Sequence, residues 1–324
     1  MTHAIRVHQP GGPGQMRWEE CAVGDPGPGE VRIRQTAVGL NFIDVYHRTG
    51  LYPQPLPFTP GVEGAGIVDL VGPDVAGLEA GDRVAYAGPI GGYAESRLIA
   101  ADRLVVPPAE ITDQQAAAMM LQGMTVDMLL NRVRTTKAGE TILVHAAAGG
   151  VGLILCQWAA ALGATVIGTV STEEKAELAR ANGCRHPILY TNEDFVERVR
   201  ELTDGKGVPV VYDSVGKDTF LRSFDCLSPR GLMVSFGQSS GAIEPFAPGL
   251  LAQKGSLFLT RPTLFTYIEE RSELQHSARA LFDIVRSGRV KIDIGQRFAL
   301  ACAADAHRAL EARRTIGSTV LTVG

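Results

Sequence analysis

The sequence predicts an α/β fold: a parallel sheet wound with helices, joined to a second, β-rich domain. Three observations carry this. From about Ile111 onward, apolar strand-like runs alternate with amphipathic helix-like runs, the pattern of βαβ units. The first third instead holds many short β-like runs set off by Gly and Pro. Between one apolar run and one helical run lies the small-residue stretch HAAAGGVG, His145 to Gly152.

In chain order, HAIRVHQ, EVRIRQTAVGL, GAGIVDLVG, DRVAYAG and SRLIA read as the strands of the first part. PGPGE, YPQPLPFTPG and AGD punctuate them as turns. TDQQAAAMMLQGMTVDMLLNRV is rich in Ala, Met and Leu and free of Pro, so it reads as one long helix. Thr112 and Gln115 fit a capping box at its start. TILVHA then leads to GLILCQWAAALG, TVIGTV to TEEKAELARANG, HPILY to EDFVERVRELTDG, and VPVVYDSV to TFLRSFDCL. GLMVSFG and SLFLTR follow as strands. After Thr260 come two helical stretches, IEERSELQHSARALFDIVRSG and AADAHRALEARR, and a last strand, STVLTVG. A tail that resumes strand character is expected to rejoin the first domain.

With 324 residues, 45% hydrophobic and 20% charged, the chain is ordinary for a globular protein and long enough for two domains with a substantial core. Net charge is -4 and the basic residues are scattered, so no basic stripe argues for nucleic acid. No uninterrupted apolar run is long enough to span a bilayer and the N-terminus lacks a signal-type run, which leads to the expectation of a cytoplasmic protein without membrane partners. Cys21, Cys156, Cys184, Cys226 and Cys302 are odd in number and lie far apart, the usage of neutral thiols in a reducing compartment.

Laid over the dinucleotide fingerprint of a Rossmann fold, Ala147, Gly149 and Gly152 take the three glycine positions. Gly149 would let the backbone approach a pyrophosphate and Gly152 would let the helix pack closely on its strand. The free N–H groups at the helix start would bind the anion. The first position is Ala, so the strict pattern is not met; the surrounding βαβ context is what supports the reading. The next strand ends at Val170. Where an acidic residue would meet the ribose of NAD stand Ser171 and Thr172, with Lys175 one turn later. Two hydroxyls and an ammonium suit the 2′-phosphate of NADP(H). A capping box from Ser171 to Glu174 is the plainer reading and is compatible with it. Glu173 or Glu174 on the ribose would favour NAD instead.

The stretch PGVEGAGIV, Pro60 to Val68, bears on metal. Zinc-dependent medium-chain alcohol dehydrogenases carry a His directly before this Glu, where this chain has Val62. Their first ligand is a Cys at the place Asn41 takes in VGLNFIDVYHRTG. A structural zinc lobe would need four clustered Cys, which are lacking. His47 and His145 are expected to make ordinary hydrogen bonds or packing contacts. No metal site is therefore expected.

With these motifs in hand, the sequence resembles the zinc-independent quinone oxidoreductases, the zeta-crystallin-like branch of the medium-chain dehydrogenase/reductase superfamily. The likeness is carried in order by NFIDVYHRTGLYP, GVEGAGIV, AGDRVAYA, HAAAGGVGLI, CQWAAALGATVIGTVSTEEK, VVYDSVG, RGLMVSFGQSSG and QKGSLFLTRPTL. It implies a GroES-like catalytic domain in two segments, 1–125 and 261–324, flanking a Rossmann domain at 126–260. It also implies a homodimer and a cofactor, NADP(H), in the cleft between domains. By resemblance Phe42, Ile43, Asp44, Val45 and Tyr46 line the nicotinamide side, and Gly150 and Val151 meet the pyrophosphate. Ser171, Thr172 and Lys175 hold the 2′-phosphate near Tyr190. Val215, Phe236, Gly237, Gln238, Ser239, Ser240, Pro262, Thr263, Leu264 and Arg313 complete the cradle. In TVDMLL, Asp127 and Met128 replace a tyrosine pair common in bacterial members. Met128 is expected near the cofactor without the hydroxyl contact.

The activity so implied is reduction of a quinone by NADPH. The cofactor supplies the hydride, and the protein orients the acceptor and stabilises charge growing on its oxygen. Asn41, Tyr46 and Tyr52 are candidate donors to a carbonyl and Arg261 a further candidate for the anion. Tyr52 also reads as a loop aromatic that merely packs, and Asp44 as a brace for its loop. Two rival readings stay open: a 2-enoyl or other activated-alkene reductase of the same superfamily, and a binding protein that uses the nucleotide fold for RNA or as a structural component.

Overall fold

A computed structural model of the protein describes residues 2–324. They form two compact units. One runs from the amino terminus to Met124 and resumes at Ile268–Arg286 and Ile292–Gly324. The other comprises Thr125–Tyr267 and Ser287–Lys291.

The first unit opens with a hairpin of β1 (Thr2–Val7) and β2 (Met16–Cys21). Then come β3 (Glu30–Leu40), a short helix α1 (Phe42–Thr49), β4 (Glu63–Val71), β5 (Arg83–Ala87) and β6 (Ser96–Ala100). The longest strand, β3, pairs antiparallel with both β4 and β6. Val31, Ile33, Val68, Val84 and Ile99 alternate along these strands and point into one core. The helix α1 is not among the expected elements, because its segment is rich in β-branched and aromatic residues. Its signals are there all the same. Asp44 sits three residues past Asn41 and accepts a hydrogen bond from its backbone N–H, and Gly50 ends the helix in the left-handed region at φ 82°.

The segment expected as one helix is three pieces: α2 (Asp113–Ala117), α3 (Met120–Asp127) and a π-helix, Met128–Val133. The Thr112–Gln115 capping box is present at the start of α2. In the π-helix the carbonyl of Leu129 accepts from the Tyr212 hydroxyl at 3.2 Å. A carbonyl drawn sideways by a buried partner is a recognised cause of such widening.

The second unit holds a six-stranded sheet built from β7 (Thr141–Val144), β8 (Thr165–Val170), β9 (Cys184–Leu189), β10 (Val208–Asp213), β11 (Leu227–Ser235) and β12 (Phe258–Thr260). Their spatial order is β12-β11-β10-β7-β8-β9, and every pairing is parallel. Between the strands run α4 (Gly150–Ala161), α5 (Glu173–Ala181) and α6 (Phe195–Leu202). Strands covered on both faces must be apolar throughout, and Leu143, Ile167, Val211 and Met233 share one core with Phe195, Phe220 and Phe224.

The tail returns to the first unit. The helices Arg271–Arg286 and Ala303–Glu311 are followed or interleaved by β13 (Ile294–Ala299) and β14 (Ser318–Thr322). β14 pairs antiparallel with β3, so the last strand joins the sheet of β3, β4 and β5. No described helix is long and apolar enough to cross a membrane.

Candidate active site

In the second unit the sheet order reverses between β7 and β10, which lie side by side although the chain visits β8 and β9 between them. In open parallel sheets ligands bind at the carboxyl ends of the strands flanking such a point. The stretch His145–Gly152 leaves β7 at that place. Ala146 adopts φ 55°, a left-handed conformation unusual for a residue with a side chain. Its carbonyl accepts from Gly149 at 3.0 Å, closing the turn. Gly149 caps α4 and offers no side chain to its first N–H groups, those of Gly150, Val151 and Gly152. α5 and α6, by contrast, are capped by Thr172 and Asp194. A side chain at Gly152 would collide with the carbonyl of Ala146, so this glycine lets α4 lie against the turn. Ala147, where the fingerprint has glycine, is fully buried, and its methyl is accommodated by Gly168 on β8. A Cβ at Gly168 would stand 2.6 Å from that of Ala147. His145 is buried as well, bonded through its two ring nitrogens to Thr169 and Ser223, each at 2.9 Å. Burial lowers its pKa.

At the end of β8, the cap of α5 differs by one residue from the expected Ser171–Glu174 box. Thr172 is the extended N-cap residue, and its hydroxyl accepts from the Lys175 N–H at 3.3 Å. Ser171 is held outside the helix, its carbonyl taken by the Thr191 hydroxyl at 3.3 Å. Tyr190, partly exposed, leaves β9 next to them, bonded through its N–H to the carbonyl of Val170. At the end of β10, Asp213 is fully buried and accepts from the N–H groups of Val215 at 2.7 Å and Gly216 at 3.1 Å and from Thr219. The Phe236–Ser240 segment folds against this turn: Phe236 and Gly237 donate to the Asp213 carbonyl, Ser239 to Ser214 and Ser240 to Val215. Arg261 reaches back to the Ser235 carbonyl at 2.9 Å, and Pro262, Thr263 and Leu264 follow it directly after β12. Met128 is buried at the start of the π-helix, beside Asp127, which accepts from Asn131 at 2.9 Å.

In the first unit, Asn41 lies between β3 and α1. Its Nδ2 donates to Glu63 at 2.7 Å, and its Oδ1 accepts from Gln122 at 3.1 Å. Asp44 is turned inward and accepts from Asn41 N–H and from the Tyr93 hydroxyl, each at 2.9 Å. Its side chain is therefore a brace, and burial pushes its pKa up to about 7. Val45 is buried. Phe42, Tyr46 and Tyr52 form an aromatic row, with ring centroids 6.3 Å and 5.2 Å apart. His47 packs on Tyr52 and is held neutral, its pKa lowered to about 4 by burial. Val62 is buried beside Glu63, whose pKa burial raises to about 8 against N–H donors from Asn41, Leu121 and Met120. Arg313 follows the helix Ala303–Glu311 with φ 57° and belongs to this first unit. Among the described residues no three His, Cys, Asp or Glu side chains are grouped as metal ligands would be.

Glu63, Gln122 and Gly168 are not among the residues that the sequence motifs mark. Glu63 stood in plain view beside Val62, but its partner Asn41 is brought to it only by β3–β4 pairing.

Models of an alcohol dehydrogenase GroES-like domain and of a zinc-binding dehydrogenase match residues 27–109 and 150–280. The chain is 54% identical to a quinone oxidoreductase of Pseudomonas aeruginosa, with 99% of each chain covered. It is 48% identical to a 2-haloacrylate reductase of a Burkholderia species, again over 99% of each. The crystal structure of Escherichia coli quinone oxidoreductase complexed with NADPH superposes with a TM-score of 0.97 at 49% identity, covering 99% of both chains.

Proposed function

Because this chain belongs to the quinone oxidoreductases of the medium-chain dehydrogenase/reductase family, we propose that it passes reducing equivalents from NADPH directly to a quinone. The observation that carries the reading is the uncapped first turn of α4 at the reversal point of the sheet. It offers several backbone N–H groups to an anion, as a pyrophosphate requires. When bound, NADPH supplies the hydride.

The chain's own residues do the rest. Gly149, Gly150, Val151 and Gly152 hold the pyrophosphate. Ser171, Thr172 and Lys175 meet the 2′-phosphate at the start of α5, where an anion is also favoured by the helix dipole. Val215, the Phe236–Ser240 segment and the residues after Arg261 shape the nicotinamide half of the cradle. Asn41 and Tyr46 donate to the acceptor's carbonyl and stabilise charge growing on its oxygen. Tyr52 meets the Tyr46 ring edge to face and fixes it. The test is a comparison of NADPH with its 4-deuterated form. Slower quinone reduction with the deuterated cofactor is expected; identical rates under conditions where chemistry is limiting would count against direct transfer.

Two further assignments belong to this proposal. The edge strand β12 exposes Phe258 at 62%, which suits pairing with the same strand of a second copy. Sedimentation at the mass of one chain would refute that. All five cysteines are free thiols, which suits the reducing cytoplasm.

A further inference from the structure

We infer that Glu63 sets which end of the Asn41 side-chain amide faces the acceptor, a positioning role that rests on the reading of Asn41 given above. Glu63 is fully buried at the start of β4. Its Oε1 accepts from the backbone N–H of Leu121 at 2.8 Å and its Oε2 from Asn41 Nδ2 at 2.7 Å. The Leu121 N–H is a donor that cannot turn into an acceptor. Ionised, Glu63 presents acceptors on both sides and requires donors at both.

That requirement fixes the polarity of a whole chain of buried groups. Asn41 must give its N–H to Glu63, so its oxygen faces Gln122. Gln122 must give its N–H to that oxygen at 3.1 Å, so its own oxygen faces Ser318. Ser318 on β14 gives its hydroxyl hydrogen to Gln122 at 2.7 Å. Every donor points toward Glu63. Among the described residues no further acceptor meets the second Nδ2 hydrogen of Asn41, which leaves that hydrogen for a carbonyl of the acceptor. The niche is made for the carboxylate: a side chain at Gly39 would collide with Glu63 Oε2 and with the Ala117 carbonyl.

Ser318 makes the chain reversible. Its hydroxyl lies 3.0 Å from the Ala118 carbonyl as well. If it donated there, its oxygen would accept from Gln122, and both amides would turn over, the Asp44 N–H keeping the Asn41 backbone carbonyl as its acceptor at 3.0 Å. Glu63→Gln creates that situation. The new carboxamide must turn its oxygen to the Leu121 N–H and its nitrogen to Asn41. Asn41 then shows oxygen where it showed N–H, and a donor to the acceptor's carbonyl becomes a repelling lone pair.

The test is a cycle of Glu63→Gln, Asn41→Ala and the double variant, read by quinone kcat/KM, NADPH affinity and melting temperature. Glu63→Gln is expected to lower kcat/KM for the quinone about 10- to 100-fold, as for a lost donor of this kind. NADPH affinity should stay within about twofold and melting within about 4 °C, because the reversed chain stays satisfied. In the Asn41→Ala background Glu63→Gln should add less than about threefold, since its effect passes through Asn41. Full activity of Glu63→Gln beside an impaired Asn41→Ala would overturn the positioning role alone. An equal loss from Glu63→Gln in both backgrounds would overturn it too. Undiminished turnover by Asn41→Ala would instead remove the reading of Asn41, and this inference with it.

Discussion

The hydroxyl of Tyr93 donates to the carboxylate of Asp44 at 2.9 Å, in a place both residues reach fully buried. The same hydroxyl lies 3.1 Å from Nε2 of His307, and Nδ1 of His307 lies 3.3 Å from Arg48. Arg48 can only donate, so Nδ1 accepts and the ring hydrogen sits on Nε2, pointing to Tyr93. Arg48 also binds Glu311 through two nitrogens, at 2.9 and 2.7 Å. The chain of donors thus runs from Arg48 to Asp44 and ends, on one side, at a group that cannot take up a proton. It ties α1 to the helix Ala303–Glu311 and holds the loop carrying Asn41 in place; it is not a proton path.

Tyr93→Phe removes the shared hydroxyl and leaves Asp44 and His307 each short of a partner. A loss of about 1–3 kcal/mol is expected, the cost of an unsatisfied buried polar group. Urea unfolding measures it, and an unchanged midpoint would show that the brace does not bear on stability.

His307 gives the pH dependence of this brace a definite sign. Burial and the nearby Arg48 charge lower its pKa to about 3. Its contribution is therefore complete above the ordinary imidazole value and is lost as pH falls toward 3, because only the unfolded chain binds the proton easily. His307→Gln should make the fall in stability between pH 6 and 4 shallower by up to about 1.4 kcal/mol per pH unit. Asp44, with its pKa raised to about 7, acts in the opposite direction as pH climbs toward 7, and it is present in both proteins. Unfolding curves of equal slope against pH would contradict the assignment.

The Ala147–Gly168 contact predicts a coupled pair. Gly168→Ala places a methyl 2.6 Å from that of Ala147 and should cost about 1–3 kcal/mol by overpacking. Ala147→Gly in the same chain should recover part of that loss, the rest staying with Cys184 Sγ, which also lies 2.6 Å from the added methyl. Two effects that simply add would show that the contact is not the cause.

Lys175, proposed to meet the 2′-phosphate, is expected to separate the two nicotinamide cofactors. Lys175→Ala is expected to raise KM for NADPH about 10- to 100-fold, the worth of a charged hydrogen bond to phosphate, and to leave KM for NADH unchanged. A parallel rise for both cofactors would take the 2′-phosphate away from this residue.

The wound sheet was legible in the sequence because strands buried on both faces are written as unbroken apolar runs, such as TVIGTV and VPVVYD. α1 escaped, since Phe42, Ile43, Val45 and Tyr46 favour a strand locally and only the Asn41–Asp44 spacing and Gly50 mark a helix. The π-helix at Met128–Val133 escaped too, for Tyr212, a distant residue, draws off the Leu129 carbonyl. Gly168 stands in for the missing first glycine of the fingerprint from a neighbouring strand, and spacing along the chain does not reveal that. The polar chain from Ser318 to Glu63 draws on the start of α1, β4, α3 and β14, so only tertiary structure assembles it.

Reduction of quinones by NADPH is the activity to be measured first. The most direct measurement follows NADPH oxidation by absorbance with an ortho-quinone, a para-quinone and an α,β-unsaturated ketone, with NADH run in parallel. A quinone is expected to turn over with a clear preference for NADPH. Turnover of the ketone alone would contradict the quinone assignment, and activity with NADH alone would contradict the phosphate site proposed at Ser171, Thr172 and Lys175.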